Sequence, residues 1–193
     1  MSKDSGYIPA IILTVIVLVT TGLLALTSAV TQETRDAQAV AAANANRQAI
    51  YPEAAAFEPL PLAADSADTT GVSEAYAVRD GQGQLIGFLY QSASRGYAGD
   101  VPVLVAIDMN NTIKSALALD NDETPGLGKK VADDAFIGQY AGLDATKVYT
   151  VKPNETDKVL LDAIAGATIS SNAVTHAVNQ ATALHQQIAS EVK

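Results

Sequence analysis

Hydrophobic positions are spread unevenly along this chain, and its first region is unlike the rest. Between residues 5 and 32 no side chain is charged, and residues 8–30 read IPAIILTVIVLVTTGLLALTSAV. At about 1.5 Å of rise per residue this run makes a helix of roughly 34 Å, enough to cross a hydrocarbon layer of about 30 Å. A soluble core helix of that length would carry a polar stripe, and this run has none. A cleaved secretory signal is the competing reading, with Thr27-Ser28-Ala29 as its small-residue site. The run is longer than the ~7–15 residues of a signal core, which favours a retained transmembrane helix. The expected layout is a short cytoplasmic tail over 1–7 and a span over 8–30. Lys3 before the span and Arg35 and Arg47 after it hardly discriminate orientation. The shortness of the tail points to export of the large domain to the extracytoplasmic, periplasmic side of the inner membrane.

Beyond the span the period changes. Residues 31–50 are rich in Ala, Gln and Asn without Gly or Pro, a composition that continues the helix as a stalk. Pro52, Pro59 and Pro61 mark an extended connector, with Phe57 and Leu60 packing on the domain edge, so 31–71 reads as stalk and linker. The folded domain is then expected over 72–193. Residues 74–79 and 84–91 have strand character and flank Asp80-Gly81-Gln82-Gly83, a hairpin signal. A continuous apolar run over 101–109 is followed by the Asn110-Asn111 turn and a strand over 112–119. Val131, Ala135, Phe136 and Tyr140 have helical spacing over 129–140, and 147–151 and 158–162 read as short strands. The clearest helix is 169–192, where Val174, Ala177, Val178, Ala181, Leu184 and Ile188 form one apolar face. Strands first, with helices packed on them, predict an α+β domain with a mostly antiparallel sheet behind a single transmembrane helix.

The chain has no cysteine, which excludes disulfides, cysteine-held clusters and thiol catalysis. Its net charge of −9 makes a nucleic-acid partner unfavourable. His176 and His185 are nine residues apart on one predicted helix and point to opposite faces, so they form no metal pair; one is expected in solvent and the other near the face boundary. Asp120, Asp122, Asp133 and Asp134 read as solvated surface rather than metal ligands. Gly81-Gln82-Gly83 leads into a strand, not a helix, and so fails as a dinucleotide fingerprint.

Three segments carry candidate chemistry. In Asp162-Ala163-Ile164-Ala165-Gly166-Ala167-Thr168-Ile169-Ser170-Ser171, a small-residue loop runs into the last helix. Gly166 and Ala167 permit close approach of a ligand, Ser170 and Ser171 suit helix capping, and Thr168 places a hydroxyl where a helix N-terminus would draw a phosphate. In Glu123-Thr124-Pro125-Gly126-Leu127-Gly128, the Pro-Gly pair sets a type II turn with positive φ at Gly126. Gly128 exposes further backbone, Leu127 can cover an apolar ring face, and Glu123 and Thr124 can bond a heteroaromatic edge. The third segment, Arg95-Gly96-Tyr97-Ala98-Gly99-Asp100, offers an aromatic ring between glycines. An ordinary capped helix and an ordinary solvent turn are the plain alternatives for each taken alone. Together the segments suit a phosphorylated cofactor with a polar planar ring.

The order of these motifs, Y-x-G, a strand pair, ETPGLG, a helix and then D-x-x-[ST]-G-A-T opening a last helix, resembles the FMN-binding domain of membrane redox complexes. The matches are the G subunit of Rnf-type ion-translocating ferredoxin:NAD oxidoreductases and the C subunit of sodium-translocating NADH:quinone reductases, with length favouring the former. The resemblance covers about 74–193 and includes the N-terminal span. It implies FMN joined through its phosphate to Thr168 by a flavin transferase. Gly166, Ala167 and Ser171 match the loop, and Asp162 matches the leading acid, positioned to help with metal and phosphate during transfer. Glu123, Thr124, Gly126, Leu127 and Gly128 match the turn that meets the isoalloxazine. Ala165 departs from the motif, which has Ser or Thr there; one neutral hydrogen bond is worth on the order of 1 kcal/mol, so its loss weakens recognition rather than abolishing it.

The function implied is electron transfer within a multi-subunit translocase, with other membrane and peripheral subunits as partners and no catalysis by this chain alone. Tyr97 and Leu127 would bound the ring faces. The alternative is a membrane-anchored binding or assembly module without redox chemistry, and a freestanding flavin reductase lacks a nicotinamide site. The absorption of oxidised flavin, near ~450 nm, separates the redox reading from the colourless one.

Overall fold

A computed structural model describes residues 7–62 and 66–191; most of the expected cytoplasmic tail and the last two residues lie outside the described residues. The chain divides into two compact units, 1–46 and 47–193.

The first unit is helical. Helix α1, Tyr7–Ile50, is continuous through the expected span and stalk. Its stretch Tyr7–Gln32 is long and apolar enough to cross a membrane. Three threonine hydroxyls inside that stretch turn back on their own helix: Thr14 Oγ1 donates to Ala10 O at 2.9 Å, Thr20 to Ile16 O at 2.8 Å and Thr27 to Leu23 O at 2.8 Å. These three hydroxyls are thereby satisfied without water, as hydroxyls on a helix facing lipid must be.

The second unit is an α+β domain. Among the described residues, β1 (Ala56–Pro59), β2 (Val72–Arg79), β3 (Leu85–Arg95), β4 (Asp100–Asp108) and β5 (Ile113–Ala118) form one antiparallel meander in sequence order. The β2–β3 hairpin forms where expected because Asp80 Oδ1 accepts from the amides of Gln82 and Gln84, both at 2.9 Å, while Gly83 takes φ +78°. The 101–109 run is apolar at nearly every position because β4 is buried on both faces. Val101, Val103, Val105 and Ile107 face the larger core, and Leu104 and Ala106 face the smaller one. Helix α4, Thr168–Glu191, covers the larger face with Ala173, Val174, Ala177, Val178, Ala181 and Leu184; Ile188 is partly buried.

The smaller face is closed by Ile50, Tyr51 and Ala54, which corrects the expected linker. Residues 51–62 belong to the domain. The Tyr51 ring is buried, and its hydroxyl donates to Ile107 O at 2.9 Å, in space open only because Gly87 has no side chain. Pro59 is tolerated because β1 is an edge strand, where a missing N–H costs no ladder bond. Between 59 and 72 a short helix α2, Ser66–Thr70, leads into β2.

The helix expected over 129–140 is also corrected. It is a 3-10 turn Gly128–Ala132, a single α-turn α3 Asp134–Ile137, and a second 3-10 turn Gly138–Tyr140. Asp133 is extended, at φ −71° and ψ 140°, and divides them. Val131, Phe136 and Tyr140 reach the core as the spacing implies, but Ala135 is exposed and Ile137 is buried instead, because the interrupted helix turns a different side inward. Two short strands, β6 (Tyr149–Thr150) and β7 (Val159–Leu160), pair in parallel outside the main sheet.

Candidate functional site

Two turns of the same type face each other at one end of α4. In the first, Leu127 N donates to Thr124 O at 3.2 Å, with Pro125 and Gly126 at the corners and Gly126 at φ +78°. In the second, Ala167 N donates to Ile164 O at 3.0 Å, with Gly166 at φ +78° in the same place. Both are type II turns, whose third position strains any residue with a Cβ. They lie close together: a Cβ added at Gly166 would come within 3.5 Å of Leu127 Cδ2.

Between them opens a cleft of about 540 Å³ lined by Tyr97, Glu123, Thr124, Leu127, Gly128, Gly166, Ala167, Thr168, Ile169 and Ser170. All three sequence segments therefore meet at one place. Thr168 is the first residue of α4 and is exposed to the cleft. The first helical hydrogen bond runs from Ser171 N to Ala167 O at 2.9 Å, so the amides of Thr168, Ile169 and Ser170 stand ahead of the ladder at the positive end of the helix dipole.

The serines do not cap this helix as expected, because it begins two residues before them. Ser171 is buried and works on the loop: its Oγ donates to Ala167 O and accepts from Ile164 N, both at 3.0 Å. Ser170 is also buried and donates to Glu123 Oε2.

Glu123 is 1% exposed, and Ala98 N donates to its Oε1 at 3.0 Å. Burial alone would raise its pKa. The hydrogen bonds from Ser170 and from the amides of Ala98, Tyr97 and Gly99 outweigh that effect and hold the carboxyl below its ordinary range. Both oxygens are thus engaged by the protein, unlike the ring-edge contact expected of them. Gly128 serves the same arrangement, since a Cβ there would meet Glu123 Oε2 at 2.5 Å and Ser170 Oγ at 2.8 Å.

Asp162 is absent from the cleft lining. It borders a separate groove with Lys130, Asp133, Phe136 and Gln139, and its backbone is clamped by the Gln139 amide, at 2.9 Å from Asp162 N and 3.2 Å from its carbonyl. Ala165 is exposed in the second turn. Sequence reasoning passed over Ile169, which lines the cleft while 55% exposed; an apolar side chain on the polar side of the last helix was the available signal. Tyr97 and Leu127 are likewise exposed at the cleft, at 70% and 46%.

Of the two histidines, His176 is exposed, as expected of one of the pair, with Nδ1 3.2 Å from Ser94 Oγ. His185, expected near the face boundary, is instead fully buried, with Nδ1 3.0 Å from the Tyr90 hydroxyl and Nε2 3.1 Å from Asn111 Oδ1.

Residues 96–183 match the FMN-binding domain family. Across nearly the whole chain, the sequence is 32% identical to the G subunit of the Na(+)-translocating ferredoxin:NAD(+) oxidoreductase complex of Acetobacterium woodii, covering 92% of this chain and 90% of that one. The chain belongs to the G subunits of ion-translocating, Rnf-type oxidoreductase complexes. Other G subunits of the family agree: that of Methanosarcina acetivorans is 33% identical over 93% of this chain and 95% of its own, and that of Vibrio cholerae 33% over 92% and 90%. Among solved structures, the C subunit of the Na(+)-translocating NADH-quinone reductase of Parabacteroides distasonis aligns over 60% of each chain, at 23% identity and a TM-score of 0.45. The domain match spans all three cleft segments except Arg95, so the family assignment and the cleft geometry concern the same part of the molecule.

Proposed function

We propose that this G subunit holds FMN in the cleft between the two turns, esterified through its phosphate to Thr168, and that it relays electrons within an ion-translocating complex. The observation that carries the reading is the joining of two unlike features in one cleft. A threonine hydroxyl stands at the open amide end of α4, and three apolar or aromatic side chains, Tyr97, Leu127 and Ile169, are left uncovered beside it.

These residues fit the cofactor. The cleft lies within the roughly 300–1,000 Å³ common for small-molecule sites. The amides of the first turn of α4 suit a phosphate, and Tyr97, Leu127 and Ile169 suit the faces of a ring. Thr124 is exposed in the cleft and is the side chain of the turn free to meet a polar ring edge. FMN supplies reversible electron uptake when bound, and the protein's part is to orient it, shield it and set its electrostatics.

Thr168 Oγ1 would carry the ester bond to phosphorus, giving up its proton as the P–O bond to the leaving group of a flavin donor breaks; the product equals FMN plus the free hydroxyl less one water. The amides of Thr168, Ile169 and Ser170 would hold the remaining charge of the phosphate. No side chain of the cleft is needed as a general acid or base. A flavin transferase is the implied modifying enzyme, and the other subunits of the complex are the implied donor and acceptor. The apolar stretch Tyr7–Gln32 anchors the chain in the cytoplasmic membrane, with the domain on the extracytoplasmic side.

Thr168→Val tests the attachment. It preserves shape and burial while removing the hydroxyl, so the full chain coexpressed with a flavin transferase should fold yet show no flavin fluorescence on a denaturing gel. Fluorescence equal to the parent's would place the bond elsewhere.

A further inference from the structure

Glu123 presents an anomaly of charge. It is 1% exposed, and no lysine or arginine among the described residues pairs with it within 4 Å. A buried, unpaired carboxylate is costly, and a neutral side chain of the same shape would avoid that cost. The surroundings are nevertheless built for it. Gly96 and Gly128 lie against its two oxygens, where a Cβ would approach to 2.4 Å and 2.5 Å. Ala98 N donates to Oε1 and the Ser170 hydroxyl to Oε2, with the amides of Tyr97 and Gly99 also favouring the charged carboxylate.

We propose that Glu123 is a positioning residue: its carboxylate ties the 95–100 loop, the 123–128 turn and the first turn of α4 into one wall and fixes a negative charge beside the cleft. The three tied segments supply Tyr97, Leu127 and Thr168, so the tie sets the distance between the two ring-facing side chains and the phosphate end. The charge has a separate consequence, which rests on the proposed FMN site. A fixed negative charge, poorly screened because it is buried, opposes the arrival of electrons in the cleft and lowers the reduction potential of what is held there.

Two substitutions separate tie from charge. Glu123→Gln keeps the shape and an acceptor for Ala98 N, and turns its NH₂ toward a Ser170 hydroxyl able to accept. Glu123→Ala removes both functions. In the full chain in detergent, made without flavin, amide exchange at residues 97–99 should accelerate at least tenfold in Glu123→Ala and change less than threefold in Glu123→Gln. After coexpression with a flavin transferase, redox titration of Glu123→Gln should show a more positive midpoint. A tenfold change in the reduced-to-oxidised ratio corresponds to about 30 mV for a two-electron couple.

Unchanged exchange in Glu123→Ala overturns the tie, and an unmoved or more negative midpoint in Glu123→Gln overturns the role of charge. Loss of flavin from Glu123→Gln with parental exchange at 97–99 would mean that the carboxylate holds the ring directly, which also overturns the proposal. A parent chain that takes up no FMN sinks the proposed function and the charge effect with it. The exchange measurement, made without flavin, still decides the tie.

Discussion

Two glycines in one turn do different work. Gly126 needs its positive φ and has nothing within 4 Å of where a Cβ would be, whereas Gly128 has no such φ but no room. Gly126→Ala should therefore cost the roughly 1–2 kcal/mol of left-handed strain and leave the wall intact. Gly128→Ala must displace Glu123 and Ser170, for about 1–3 kcal/mol of overpacking, and should also cut FMN loading. Chemical denaturation and flavin absorbance of both variants check this; equal loading in the two would separate Gly128 from the wall. The Pro-Gly turn was legible because its rule is local. The purpose of Gly128 was not, since the atoms it avoids belong to residues five and forty-two positions away.

Among the elements, α4 shows most plainly which signals reach across the fold. Its apolar face was readable from spacing, but the burial of His185 on it was not, because the partners lie on β3 and in the β4–β5 turn. With the proton on Nε2, the neutral ring donates to Asn111 Oδ1 and accepts from the Tyr90 hydroxyl, while Phe88 meets it edge-on at 5.2 Å. Burial pushes its pKa down to about 4, with the nearby Asp108 charge acting the other way. The unfolded chain, with an ordinary value near ~6.5, takes up this proton first as pH falls. The stability due to His185 is thus complete above pH ~6.5 and is lost as pH drops toward ~4, by up to roughly 3 kcal/mol. Unfolding free energies of parent and His185→Phe between pH 7.5 and 4.5 check it: the slope should flatten in the variant, and an unchanged slope would contradict the assignment. The misread elements have similar causes. The prolines of 51–62 look like a linker until Tyr51 finds Ile107 O, and 129–140 has a helical period that extended Asp133 interrupts.

At the scale of the whole molecule, the long apolar helix and the meander were legible because each is a repeated local pattern, while the start of the second compact unit at Arg47 rather than residue 72 depended on long-range packing. The candidate site was legible as three motifs, and the structure adds their meeting in one cleft and the inward turning of Glu123. An apolar helix long enough to cross a membrane, a domain with cores on both faces of its sheet, and a cleft with a threonine at its helix end together suit the proposed tethered redox carrier. A phosphoester would keep such a carrier loaded where free cofactor is scarce, so the central claim is the proposed bond at Thr168. The direct measurement is mass spectrometry of the full chain coexpressed with a flavin transferase, followed by mapping of the tryptic peptide 159–193. The expected result is a gain of one FMN less one water, located on Thr168. An unmodified mass, together with no measurable affinity of the purified chain for FMN, would contradict the account.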